Sequence, residues 1–130
     1  MSQEDVEIVR RAWDAWERGD LTGLLETMSD DVVTVRVGLD NVTYYGKQGF
    51  LELTADWVEA FAEWSATPEE FLDAGDRVVV RNHQIARGDT SGAPAESDFW
   101  YVYTIRGGKI IRQDFFARRA EALEAAGLRE

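Results

Sequence analysis

Hydrophobic residues along this chain change their spacing near its midpoint. In the first part they recur at three- and four-residue steps. Val6, Val9, Trp13 and Trp16 form one stripe, and Leu21, Leu24, Leu25 and Met28 a second, shorter set. The spacing predicts a helix opened by a Ser2/Asp5 capping pair and ended by Gly19, then a short helix capped by Asp20. Ser29-Asp30-Asp31 is a polar break, and the β-branched run Val32 to Val37 reads as a strand. Gly38 to Asn41 is a loop and Val42 to Tyr45 a short extended piece. Gly46-Lys47-Gln48-Gly49 leads into the longest helix, with Phe50, Trp57, Phe61 and Trp64 on one face and Pro68 limiting its extent. Beyond that point the period falls to two. Residues 69–73, 77–87, 98–106 and 109–116 read as strands, with turn signals at Gly75-Asp76 and Gly107-Gly108. Arg119 to Ala126 closes the chain as a short helix with Gly127 at its end. Helices first and strands later argue an α+β fold. The expected form is a curved antiparallel or mixed sheet wrapped by three helices of the N-terminal half, plus a short C-terminal helix, as one domain over residues 1–130. The open end of such a cone is a natural pocket.

Composition narrows the partners. The 14 basic and 25 acidic residues leave a net charge of −11, a field that repels nucleic acid and anionic membrane surfaces. The chain has no cysteine, which excludes disulfides, thiolate nucleophiles and thiolate-bound metals. No apolar run approaches the roughly 20 residues that span a bilayer, and the acidic start lacks a signal-peptide pattern. A soluble, cytoplasmic protein is the expectation.

Several stretches carry a family resemblance: Trp13-Asp14-Ala15-Trp16-Glu17-Arg18-Gly19-Asp20-Leu21, Ser29-Asp30-Asp31-Val32-Val33, Gly46-Lys47-Gln48-Gly49-Phe50, Asp73 to Val80 and Gly107-Gly108-Lys109-Ile110-Ile111. In this order the chain resembles the SnoaL-like group of the nuclear-transport-factor-2-like superfamily, the cone fold of ketosteroid isomerase and polyketide cyclases. These stretches are caps, turns and helix starts, so the resemblance implies a fold and does not choose a chemistry. Counted from the same motifs, the positions of the ketosteroid isomerase tyrosine, base and second aspartate fall on Ala12, Arg36 and near Tyr101. None of the three matches, and an arginine cannot act as a general base. The resemblance also implies that Trp16 is a wall residue, that Arg36 belongs to the pocket, and that Tyr101 and Tyr103 stand on the concave side of the sheet.

A two-residue Gly107-Gly108 turn pairs Tyr101 with Asp114, Tyr103 with Arg112 and Ile105 with Ile110, unless a bulge shifts the register. On that pairing Asp114 is the candidate base, with burial raising its pKa, and Tyr101 and Arg36 stabilise developing negative charge. The alternative is a cross-strand polar ladder in which Arg112 holds Asp114. Trp16, Trp57, Phe61, Asn82 and Tyr103 are the candidate ligand-binding residues. Together the aromatics favour a flat apolar molecule bearing an oxygen. The lone histidine, His83, falls on the outer face if Val80, Asn82 and Gln84 face inward; a shift of one residue would bring it into the pocket as an acid–base candidate. No metal-ligand set and no phosphate-cradling glycine motif stands out, so no metal and no cofactor are expected. Trp100, Val102, Ile111 and Phe115 form an apolar outer patch on this register, which predicts a homodimer through that face. The function expected is binding of a small hydrophobic molecule, with cofactor-free acid–base isomerase, cyclase or dehydratase chemistry. The alternatives are a non-catalytic ligand-binding or dimeric scaffold domain of the same fold, and a protein-interaction module using the outer sheet face.

Overall fold

The computed structural model describes residues 2–37, 41–60, 63–87 and 94–128. The amphipathic stripe of the first segment becomes α1 (Ser2–Glu17), which buries Val9, Ala12 and Trp13. Gly19 turns the chain at φ +70°, and the Asp20 carboxylate accepts from the Gly23 amide at 2.9 Å to cap α2 (Leu21–Glu26). There follow β1 (Met28–Val37), β2 (Thr43–Tyr45) and α3 (Gly46–Ala60). Then come β3 (Glu63–Asp73), β4 (Arg77–Arg87), β5 (Pro94–Arg106), β6 (Lys109–Phe116) and α4 (Arg119–Ala125).

The six strands make one mixed sheet in the order β2-β1-β6-β5-β4-β3, with β1 parallel to β6 and every other pair antiparallel. The architecture is the expected α+β cone. α1, α2 and α3 lie over one face, where Val9, Trp13, Met28, Val78, Val80, Tyr103 and Ile110 form the main core.

β1 runs through the predicted polar break Ser29–Asp31, β5 starts at Pro94 instead of 98, and three further differences from the reading of the sequence bear on the site. The third helix gives way to β3 before Trp64, which therefore stands on a strand and not on the helical face of Phe50 and Trp57. Pro68 is accommodated because β3 is an edge strand, where a missing N–H breaks no second ladder. The second difference is the β5–β6 register. Gly107 and Gly108, at φ +59° and +78°, make the tight turn that joins Ile105 to Ile110. One residue further the ladder slips: Thr104 pairs with Arg112, Tyr103 with Gln113, Val102 with Asp114 and Tyr101 with Phe115. Ile111 is the extra residue, a β-bulge, and it reverses the side on which every later β6 residue stands. Asp114 therefore pairs with Val102 and leaves the tyrosine face, while Gln113 and Phe115 join it.

The third difference concerns the outer face. Val102 and Phe116 are covered by α4 and its C-cap, where Ala122 and Ala126 pack on them with Val79 to form a second, smaller core. Trp100 packs against this cluster, and Phe115 belongs to the inner face. Arg77 Nη1 donates to the Ala125 carbonyl at 2.8 Å and ties α4 down. The apolar patch that predicted a homodimer is thus largely closed by the chain's own C-terminal helix. Among the described residues, no helix is long and apolar enough to cross a membrane.

Candidate functional site

Between the sheet and the helices α1 and α3 lies a chamber of about 80 Å³. Its walls are mostly aromatic, which follows from where the sequence puts its rings. Trp13 and Trp16 come from α1, Phe50 and Trp57 from α3, Trp64 from β3, Phe99, Tyr101 and Tyr103 from β5, and Phe115 from β6. The rings pack edge to face where Trp64 meets Trp16 (centroids 5.3 Å apart) and Trp57 (6.1 Å), and lie stacked where Tyr101 meets Phe115 at 3.7 Å. Drug-sized ligand sites occupy roughly 300–1,000 Å³. A molecule that fits such a space is compact, or extends into its mouth.

The polar groups in this lining are few, and their orientation follows from donor and acceptor chemistry. The indole N–H of Trp64 can only donate, and it contacts Gln84 Oε1 at 3.1 Å. The Phe99 carbonyl can only accept, and it receives Asn82 Nδ2 at 3.3 Å. Both amides are fixed by these contacts, so Gln84 Nε2 donates to Asn82 Oδ1 at 2.9 Å and to the Tyr101 hydroxyl at 2.6 Å. Both N–H donors of Gln84 are then used. Tyr101 accepts from it, and its own O–H hydrogen is directed elsewhere; among the described residues nothing accepts it. Burial pushes the Tyr101 phenol far above its ordinary value, against the opposing hydrogen bond from Gln84, so it is a proton-bearing donor at neutral pH. Burial likewise holds Tyr103 well above the ordinary phenol value. Trp13 Nε1 lies toward the Tyr103 hydroxyl but makes no well-formed hydrogen bond.

Arg36 and Thr34 share the inner face of β1. Gln113 Nε2 donates to the Thr34 hydroxyl at 2.9 Å, which pairs these two buried side chains. Arg36 Nη2 donates to the Tyr44 hydroxyl at 2.9 Å, and its guanidinium lies 5.3 Å from the Tyr44 ring centre and 5.9 Å from that of Trp57.

Of the residues singled out from sequence, Arg36, Tyr101, Tyr103, Trp16 and Trp57 come together around the chamber. Asn82 stands behind them, fully buried, and orients Gln84. Phe61 lies outside the described residues. Asp114 is not among the chamber residues: Arg112 Nε donates to both of its oxygens at 3.1 and 3.0 Å on the opposite face. That hydrogen bond also raises the Arg112 pKa. The proposed tyrosine–aspartate rung is corrected by the Ile111 bulge, and no carboxylate or histidine is among the described chamber residues. Gln84 and Gln113 are the site residues that sequence reasoning passed over as functional. The alternation of β4 predicts that Gln84 faces inward, but its contacts emerge only where Asn82 and Gln84 stand beside a tyrosine on the neighbouring strand.

His83 lies on the outer face. Its Nδ1 is 2.7 Å from Asp98 and its Nε2 3.5 Å from Glu96. The hydrogen bond to Asp98 raises the His83 pKa above its ordinary 6.5. Glu69, His83 and Asp98 bring one potential metal-ligating atom each within 4.8 Å of one another. Arg81 already bridges the two carboxylates, at 3.2 Å from Glu69 and 3.5 Å from Asp98, so the cluster is built as an ion-pair network.

Comparison with known proteins agrees with this geometry. The sequence model of the SnoaL-like domain matches residues 9–113. None of the curated proteins matches the chain. Among solved structures, an NTF2-like protein of unknown function from Burkholderia pseudomallei superposes with a TM-score of 0.78 at 23% identity, covering 93% of this chain and 95% of that one. TerC, co-crystallised with polyporic acid, gives 0.76 at 26% identity, covering 95% and 98%. A Sinorhizobium meliloti protein proposed to be a polyketide cyclase gives 0.68 at 28% identity, covering 84% and 93%.

Proposed function

We propose that this chain, which belongs to the SnoaL-like domain family, binds a compact, flat organic molecule in its chamber and hydrogen-bonds a carbonyl-type oxygen of it through Tyr101. The observation that carries this reading is the Trp64–Gln84–Tyr101 relay, which occupies the Tyr101 hydroxyl as an acceptor and leaves its own O–H, in the lining of an aromatic chamber, without an acceptor among the described residues. A hydrogen bond from a buried phenol polarises a carbonyl and stabilises negative charge that develops on its oxygen. Since no carboxylate or histidine is among the described chamber residues, the chemistry supported is electrophilic activation. In such a step the nucleophile or the departing proton belongs to the substrate or to water, as in an intramolecular cyclisation or an enolisation. The relation to a proposed polyketide cyclase supports that class, and the co-crystal of TerC supports an organic molecule as the occupant. The second reading, binding without turnover, is favoured by one observation: the carboxylate that could have served as base is held by Arg112 outside the chamber.

The test uses the chamber's own tryptophans as reporters. Titration with the aromatic ketone 2-acetylnaphthalene quenches tryptophan fluorescence saturably in the wild type. Tyr101→Phe weakens that binding by roughly three- to tenfold, the worth of one hydrogen bond of about 1 kcal/mol. Equal affinity in the two proteins, or no quenching in either, contradicts the reading.

A further inference from the structure

We propose that the chamber takes a flat dicarbonyl compound, with two acceptor oxygens on one edge, and that Tyr103, backed by the indole of Trp13, holds the second oxygen. This deepens the reading above and rests on Tyr101 holding the first.

Tyr101 and Tyr103 flank Val102 on β5, so both stand on the inner face, about 6.6 Å apart along the strand. Tyr103 is buried, and burial keeps its phenol protonated at neutral pH. Among the described residues nothing accepts that proton. The neighbour that Tyr103 does have is Trp13, and an indole can only donate. Trp13 is 6% exposed, and its Nε1 lies toward the Tyr103 hydroxyl without a well-formed hydrogen bond. A buried donor left without a partner is costly. An acceptor oxygen placed at Tyr103 serves both groups. Tyr103 donates to it, and a phenol that donates becomes a better acceptor for the Trp13 N–H. The result is a chain from indole to phenol to ligand, the counterpart of the one that runs from Trp64 through Gln84 to Tyr101.

The two phenols are arranged for two oxygens and not for one. Two hydroxyls share an acceptor only when they lie within about 5.5 Å of each other, twice the length of an O–H···O bond. The rings of Tyr101 and Tyr103 are 6.4 Å apart and inclined at 61°. The Tyr101 hydroxyl is drawn away from Tyr103 by its bond from Gln84. On the ladder Gln84 stands opposite Ser97 and Asn82 opposite Phe99, both on the far side of Tyr101. The stack on Phe115 at 3.7 Å holds the Tyr101 ring in that position. The formed bond from Gln84 also makes Tyr101 the stronger donor of the two. A ligand with a single oxygen therefore uses Tyr101 and leaves Tyr103 idle, whereas a second oxygen engages both.

The probe pair is 1,3-diacetylbenzene and 3-ethylacetophenone, which keeps the outline but has an ethyl group in place of one acetyl group. Each is titrated against the full chain and followed by tryptophan quenching. The wild type is expected to bind the diketone roughly three- to tenfold more tightly, the worth of one added hydrogen bond. Tyr103→Phe removes that preference and leaves the monoketone affinity within about twofold of the wild type, which also shows that the chamber is intact. If the wild type has no preference, or Tyr103→Phe keeps it, the second oxygen site is refuted. A Tyr103→Phe protein that loses both probes alike makes Tyr103 a packing residue and overturns the proposal as well. In each of these cases, monoketone binding that still weakens in Tyr101→Phe leaves the first reading standing. If neither probe quenches, or Tyr101→Phe changes neither, both readings fall.

Discussion

Gln84 and Arg81 stand three residues apart on β4 and face opposite ways. Gln84 is buried, and its three polar contacts tie together Trp64, Asn82 and Tyr101. Arg81 is partly exposed and also has three partners, Glu69, Glu70 and Asp98. The two networks look alike as lists of contacts. They differ in what breaking them leaves behind. An exposed carboxylate that loses its arginine returns to water, whereas a buried indole N–H or amide oxygen has no such refuge. The inner face is therefore where the sheet holds groups in fixed orientation, and the outer face is where it keeps charge solvated.

That contrast is open to direct measurement. Gln84→Leu should lower unfolding free energy by about 1–3 kcal/mol, because the Trp64 N–H and Asn82 Oδ1 are left unsatisfied. Arg81→Met should cost about 1 kcal/mol or less. Equal costs in denaturant unfolding would erase the distinction between the faces. Asp114→Asn is a smaller test. It weakens a partly exposed ion pair on the far side of the sheet, so stability should change by less than about 1 kcal/mol. Binding of 2-acetylnaphthalene should stay the same; a loss of binding would return Asp114 to the chamber and refute the bulged register. The smallest effect concerns His83. Its folded pKa is raised above the ordinary 6.5 by Asp98. A raised folded pKa favours the protonated native state, so this contribution is fully present below about pH 6.5 and is lost as pH rises through the folded value. The melting-temperature gap between wild type and His83→Gln should therefore narrow from pH 6 to pH 9, and a gap that widens would contradict the pairing.

Much of this architecture was readable from residue spacing. The β-branched run at Val32–Val37, the Gly107-Gly108 hairpin and the Asp20 cap each follow from local chemistry, and the bounds of β4 and β6 match the alternation seen in the sequence. The site was readable only in part. The aromatic walls and Arg36 follow from patterning and family resemblance. The assignment of Asp114 failed because a bulge at Ile111 has no compositional mark: isoleucine is an ordinary strand residue, and only the ladder shows that it is the extra one. The outer patch was misjudged for a related reason. Alternation shows that Val102 and Trp100 are apolar and point outward, but not that the seven-residue α4 folds back over them. The spacing of Trp64 from Trp57 also suits the helical period and so predicts a helix; the edge position that tolerates Pro68 is a property of the whole sheet.

The Ile111 bulge makes the lining of the chamber a matter of odd and even counting. Between Gly108 and Phe115, adding or removing one residue exchanges a glutamine and a phenylalanine for an arginine and an aspartate without altering any other letter of the strand. Two homologues could share nearly every residue of this hairpin and still present opposite chemistry to a ligand. Within this fold, the number of residues after the turn is as informative about substrate as their identity.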